Sequence, residues 1–343
     1  MMNIDKGMNR KFKILSIDGG GIRGVFPAMF LTQLEEELKA RGKENWQIYQ
    51  NFDLICGTST GGINAIALAL GIPAKEIHEL YLENAKDIFG NKRWLSQLFV
   101  SSHKRNKLEV ILREKFKDSK RQDYRLKDCK TNICVPIYDL VEGKPSVYKN
   151  KYHPNFTRDF HLPAYQVALA TSAAPVFFSP FSSDYIDLNG VSKSFSNKVD
   201  GGVFANNPTL LGIIEAQEAF GKSLDDLKVL SIGTGTQVFS DGKNRKGWGV
   251  LYWINPFKKR IMDLFLQGQS QLSENLISLM QNGIDKEHRN NPRFIYHRVT
   301  TVLDNSLKIE MDETNKVKLE RLSEKASYQF HDNASMIVKT YID

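Results

Sequence analysis

The run Phe52-Asp-Leu-Ile-Cys-Gly-Thr-Ser-Thr-Gly-Gly62 surrounds one serine with the neighbours a nucleophile needs. A short apolar strand leads into a Gly-x-Ser-x-Gly turn, and a helix begins near Thr60. A side chain at the tip of such a turn is exposed and sits over the positive end of the helix dipole. Gly57 and Gly61 let the backbone turn tightly and let a substrate carbonyl come close. Ser59 is therefore the candidate nucleophile, and attack on a carbonyl is its chemistry. The pentapeptide alone would fit any glycine-rich connection. The strand before it and the helix Ile63 to Leu70 after it set this one apart.

A second glycine run follows the strand pattern Lys11 to Ile17: Asp18-Gly-Gly-Gly-Ile-Arg-Gly24. An amphipathic helix then runs from Phe26 to Ala40, with Pro27 in its first turn. Gly19 to Gly24 fits G-x-G-x-x-G, but a dinucleotide site also needs an acid ending the next strand. That strand ends in Gly-Thr-Ser, and Glu35 to Glu37 belong to the helix. The backbone N–H groups of Gly19, Gly20 and Gly21 suit a different task, holding a developing oxyanion. Arg23 is read as orienting this loop or a phosphate, or as a structural ion pair.

A serine nucleophile needs a base. The run Lys198-Val-Asp-Gly-Gly-Val-Phe-Ala-Asn-Asn-Pro208 carries Asp200 into a turn made by Gly201 and Gly202. The seven histidines are His78, His103, His153, His161, His288, His297 and His331. None lies in a glycine-rich turn or beside an acid motif. A Ser-His-Asp triad has no support here, whereas an aspartate within reach of the serine can take its proton directly.

Together these motifs resemble the patatin-like phospholipases. Three match in family order: Gly19-Gly-Gly-Ile-Arg-Gly24, Gly57-Thr-Ser-Thr-Gly61 and Asp200-Gly-Gly202. The run Ala170-Thr-Ser-Ala-Ala-Pro-Val-Phe-Phe178 also looks like the family's. The resemblance covers about Phe12 to Gly235; the residues after Val238 are less typical. It implies a Ser59–Asp200 dyad, an oxyanion loop with Gly24 in support, hydrolysis of lipid acyl esters, and no metal or other cofactor. The opening Ile14-Leu-Ser-Ile-Asp-Gly-Gly-Gly21 is similar to that of bacterial effectors of cyclic-oligonucleotide anti-phage signalling. That likeness implies a nucleotide activator and membrane degradation. A constitutive housekeeping lipase is the alternative, and a non-catalytic lipid- or nucleotide-binding module is the alternative of another class. The intact serine and aspartate speak against the module.

The chain has 343 residues, 41% of them hydrophobic, enough for a sizeable core. One domain over 1–343 is expected, with the catalytic motifs inside 12–235. Three cysteines, Cys56, Cys129 and Cys134, give no disulfide framework and suit a reducing cytosol. Met1 to Lys13 carries no apolar signal core, and the longest apolar run, Ile63 to Ile72, is too short to span a bilayer. Any membrane contact is therefore expected to be peripheral; the resemblance implies that it is made at the inner membrane when the enzyme is active. The net charge of +8 favours anionic partners, but no nucleic-acid-binding signature accompanies it, so DNA and RNA are not expected. A homo-oligomer is compatible with the sequence.

Strand and helix patterns alternate. Helices are expected from Pro73 to Phe89, Arg105 to Lys117, Pro163 to Ala173 and Asn207 to Phe220, and strands at Thr131 to Tyr138 and Lys228 to Gly235. This predicts a three-layer α/β/α fold with a largely parallel central sheet and the active residues at the strands' carboxyl ends. Beyond Gly235, a region catalysis does not obviously require, an amphipathic helix over Asp263 to Asn282, an edge strand near Phe294 to Thr300 and one or two closing helices form a C-terminal extension. The aromatic stretch Trp248 to Phe257, between the clusters Lys243–Lys246 and Lys258–Arg260, reads either as core or as a lid or membrane-docking surface. The cysteines are not paired at metal-ligand spacing, and the dyad needs no ion. Ester hydrolysis should therefore persist in EDTA; full loss, restored by a divalent cation, would contradict this.

Overall fold

The computed structural model describes residues 10–90, 105–236, 249–253, 260–284, 291–303 and 307–343. Its centre is strand β1 (Phe12–Ile17), buried at every position but Lys13. Parallel neighbours explain that continuous burial, because such strands are covered on both faces. β1 pairs in parallel with β2 (Leu54–Gly57) on one side and β7 (Leu227–Ile232) on the other. β3 (Asn132–Asp139) lies parallel beyond β2, and β8 (Ile295–Val299) parallel beyond β7. An antiparallel arm completes the sheet: β4 (Lys144–Lys149) and β6 (Ser192–Asp200) both pair with β3, and β5 (Phe181–Ile186) pairs with β6. The order along the sheet is β5-β6-β3-β2-β1-β7-β8.

Side-chain alternation gives the sheet two cores. Leu15, Ile17, Ile55 and Ile133 face one core; Ile14, Leu54, Cys56, Cys134 and Val229 face the other. The first lies under α1 (Val25–Ala40), α2 (Thr60–Leu70), α3 (Ala74–Phe89), α4 (Asn106–Lys115) and α5 (Ala164–Thr171). After a short α6 (Gly202–Ala205), α7 (Thr209–Glu218) covers the second. The α/β/α layering and largely parallel sheet are as expected. The arm was not legible in advance, because β4, β5 and β6 are half polar and partly exposed.

The C-terminal part is built into this frame. β8 extends the sheet. After α8 (Val250–Trp253), the long helix α9 (Arg260–Asn282) adds Ile277 to the second core. α10 (Lys316–Ile337) lies along α1, where Phe330 meets Phe30 edge to face with ring centroids 5.4 Å apart. A region that looked dispensable for catalysis thus supplies part of the core. No described helix is long and apolar enough to cross a membrane. Of the aromatic stretch, only 249–253 is described; Tyr252 is buried there, and Arg260 stacks over its ring at 4.1 Å. The clusters Lys243–Lys246 and Lys258–Lys259 lie outside the described residues. Phe330→Ala should lower stability by about 3–5 kcal/mol in urea unfolding, the loss typical of a buried phenylalanine; a loss under ~1 kcal/mol would mean that α10 is not part of the cooperative core.

Candidate active site

The elbow follows from what each residue must avoid. β2 ends at Gly57 and α2 starts at Thr60, leaving two residues to reverse the chain. Ser59 takes up the reversal with φ +56° and ψ −125°, a conformation that non-glycine residues avoid. Glycines make the turn possible. A Cβ at Gly57 would lie 2.1 Å from the Gly61 carbonyl oxygen, and one at Gly61 would lie 2.3 Å from that of Ile17. Thr171 holds the strained residue in place. Its hydroxyl accepts the Ser59 N–H at 3.1 Å and donates to the Pro136 carbonyl at 2.8 Å.

Asp200 ends β6, and Ala173 beyond α5 accepts its N–H at 3.1 Å. The Ser59 hydroxyl lies close enough to its carboxyl to lower its pKa, and the Gly202 N–H donates to its Oδ1 at 2.7 Å. Gly201 packs against the Pro136 carbonyl. Burial pushes the Asp200 pKa up to about 7, against the Ser59 hydroxyl and the Gly202 N–H, which lower it. No described cation contacts this carboxyl. Of the described histidines, none lines the cleft: His78 bonds Ser323, His297 bonds Tyr341, and His153 and His161 accept loop N–H groups. His103 and His288 lie outside the described residues.

The glycine loop borders the same cleft. Gly20 and Gly21 line it beside Ser59, and no described main-chain acceptor takes their N–H groups. Gly19 differs from the expectation: its N–H donates to the Asn206 carbonyl at 3.0 Å and so is not free for an oxyanion. Gly21 has φ +59° and lies so near Met311 that a Cβ would be 2.2 Å from that residue's carbonyl oxygen. The Arg23 guanidinium donates to the Gly20 carbonyl at 3.3 Å, so Arg23 braces the loop. Desolvation lowers its pKa, and Asp263 and Glu310 oppose that. Gly24 abuts Thr60 at the start of α2.

Three contributions come from chain distant in sequence from the part of the site each one serves, and two of them, Arg298 and Gln269, had no local signal. Arg298 on β8 grips Asp18 with two hydrogen bonds, 2.9 and 2.5 Å, and also pairs with Glu274 at 2.9 Å. Burial alone would lower the Arg298 pKa, but Asp18 and Glu274 carry it well above the usual arginine range. Asn206 anchors Gly19. Gln269 on α9 spans the Asp200 turn, accepting the Asn206 N–H at 2.9 Å and donating to the Gly202 carbonyl. Thr171, by contrast, sits inside the recognised run 170–178.

Above Ser59 and Asp200 lies a cleft. Ile63, Phe89, Leu108, Phe178, Met262 and Leu266 make its walls apolar, a fit for hydrocarbon rather than for a charged group.

A patatin-like phospholipase family model matches residues 15–213. The chain is 34% identical to patatin-like protein 2 of Arabidopsis thaliana, over 80% of this chain and 73% of that one. It is 31% identical to a cGAMP-activated phospholipase of Escherichia coli, over 78% and 75% of the two chains, and 36% identical to one of Pseudomonas aeruginosa, over 66% and 63%. The chain belongs to the patatin-like phospholipase family, and it is a lipid acyl hydrolase.

If Ser59 is the nucleophile, Ser59→Ala and Ser59→Gly should both lower turnover by on the order of 10⁴ or more. Ser59→Gly should also gain about 1 kcal/mol of stability, because glycine accepts positive φ. A folded Ser59→Ala enzyme with normal turnover would remove Ser59 from the chemistry. If Asp200 is the base it must be ionised, so kcat/KM on a soluble ester should rise with pH, reach half its plateau near pH 7 and stay flat above. The same raised pKa means that the folded state holds this proton more tightly than the unfolded chain. The ionised carboxylate therefore opposes folding increasingly as pH rises through about 7. Asp200→Asn should remove most activity yet melt no lower than the parent at pH 8.

Proposed function

We propose that the protein cleaves phospholipid acyl esters through a Ser59–Asp200 dyad. The observation that carries this is that the Ser59 hydroxyl and a buried carboxyl of near-neutral pKa, Asp200, line the same apolar cleft. Asp200 accepts the hydroxyl proton as Ser59 Oγ attacks the ester carbonyl. The Gly20 and Gly21 N–H groups receive the oxyanion, while Gly19, Arg23 and Thr171 hold the two turns in position. The proton on Asp200 passes to the departing lysolipid alkoxide. Water then attacks the acyl-serine, with Asp200 again as base. The acyl chain occupies the apolar cleft, whose walls exclude water from the reacting carbonyl.

We further propose that a cyclic oligonucleotide switches this activity on, making the protein an anti-phage effector acting on the inner membrane. The support is the likeness to relatives named for activation by cGAMP. An activator works only through tighter binding to the active arrangement than to the idle one; tenfold activation needs about 1.4 kcal/mol of that difference. Fatty-acid release from phospholipid vesicles should thus be weak for the protein alone and rise at least tenfold with cGAMP. Full basal release, unchanged by cGAMP or other cyclic di- and trinucleotides, would favour the housekeeping lipase.

A further inference from the structure

Helix α9 presents two faces of opposite character. The inner face is mostly polar and committed, with Ile277 in the second core as its buried apolar residue: Gln269 to the Asp200 turn, Ser270 to Asn206 at 3.1 Å, Ser273 to the Asn207 carbonyl at 3.4 Å, Glu274 to Arg298. The outer face is the reverse. Ile261, Leu264, Phe265, Leu272, Leu276 and Leu279 are exposed there, and the exposed residues between them are uncharged. The helix's charged residues, Arg260, Asp263 and Glu274, are all half-buried. Phe265 is 66% exposed and Leu272 58%. Spacings of three and four residues align the apolar side chains in one stripe along the helix. Single exposed apolar residues need no explanation, but a continuous uncharged stripe marks a contact surface.

We propose that this stripe is the surface by which the enzyme enters the acyl boundary of a phospholipid bilayer. Continuity with the cleft decides the occupant. Met262 and Leu266 on α9 line the cleft wall, and Ile261 and Phe265, one residue earlier on the same turns, begin the exposed stripe. Apolar side chains on these turns therefore lead from the cleft wall to the outside of the helix. A bilayer seated there delivers its ester at the mouth of the cleft. A second copy of the chain seated there would cover the helix that borders that mouth. The inference rests on the lipid-hydrolase reading and gives it a docking surface. Because the stripe has no charge, docking is apolar: it needs no anionic lipid and is insensitive to screening.

The test uses the full chain with Ser59→Ala, so vesicles stay intact, with cGAMP present throughout. Co-sedimentation with phosphatidylcholine vesicles should show binding that persists at about 0.5 M salt, where charge attraction is largely screened. Phe265→Ser with Leu272→Ser should weaken it at least tenfold. Val317→Ser with Tyr328→Ser, exposed apolar residues on α10, should leave it unchanged. With Ser59 restored, the Phe265→Ser, Leu272→Ser enzyme should hydrolyse a soluble short-chain ester at the parent rate, which establishes its fold. Parent protein that does not bind these vesicles, or binding equal in parent and α9 variant, overturns the proposal. So does a parent dimer that the α9 substitutions convert to monomer without changing vesicle binding, since the stripe would then belong to a second copy. Failure of the dyad chemistry reads differently: ester hydrolysis would survive Ser59→Ala while vesicle binding kept its dependence on the stripe.

Discussion

The site depends on one carboxyl kept dry and without a cation. Asp200 is 3% exposed; the Gly202 N–H donates to it and the Ser59 hydroxyl lies beside it. A lysine or arginine at that position would stabilise the carboxylate and take away its basicity. The neighbouring cations are engaged elsewhere. Lys198, two residues away, is turned to Asp139; Arg298 is held by Asp18 and Glu274; Arg23 is on the Gly20 carbonyl. What remains is a carboxyl whose pKa lies near neutrality, as the proposed base requires, and whose ionisation opposes folding.

The surrounding chain fixes distances around that carboxyl. β1, β2 and β6 end together, so the glycine loop, Ser59 and Asp200 emerge at one edge of the sheet. Two residues of positive φ, Ser59 and Gly21, are each held by chain from another element: Thr171 for the first, Met311 for the second. The buried Asp18–Arg298 pair ties the root of the glycine loop to β8 across the intervening β7. Removing one partner of such a pair leaves an uncompensated buried charge, which typically costs about 3–5 kcal/mol. The C-terminal part is therefore structural to the site, through Arg298, Met311 and Gln269, as much as it is a covering layer.

Local patterns carried much of this into the sequence. Apolar runs ending in glycine marked β1, β2 and β7, and Gly-x-Ser-x-Gly between strand and helix marked the elbow. Asp200-Gly-Gly was legible by its resemblance rather than by its chemistry, since the same tripeptide is an ordinary turn. What stayed hidden is what depends on tertiary pairing. The arm β4–β6 is polar because one side of it meets solvent. Arg298 is an ordinary arginine until β8 places it against Asp18. Gly19 looked equivalent to its neighbours in a run of three; only the Asn206 carbonyl, nearly two hundred residues on, takes its N–H. The amphipathic pattern of α9 was visible, but polar contacts to the Asp200 turn hold its inner side, so most of its leucines and Phe265 lie outward while Ile277 alone is buried in the core.

In the proposed chemistry Ser59 becomes nucleophilic through Asp200. A fluorophosphonate probe, which traps an activated serine covalently, tests this without lipid, vesicle or activator-dependent binding steps. Peptide mass analysis should place the adduct on Ser59, and the labelling rate should fall on the order of a hundredfold or more in folded Asp200→Asn protein, the scale of losing a general base. Labelling of a different residue, or of Ser59 at an undiminished rate in Asp200→Asn, would contradict the account.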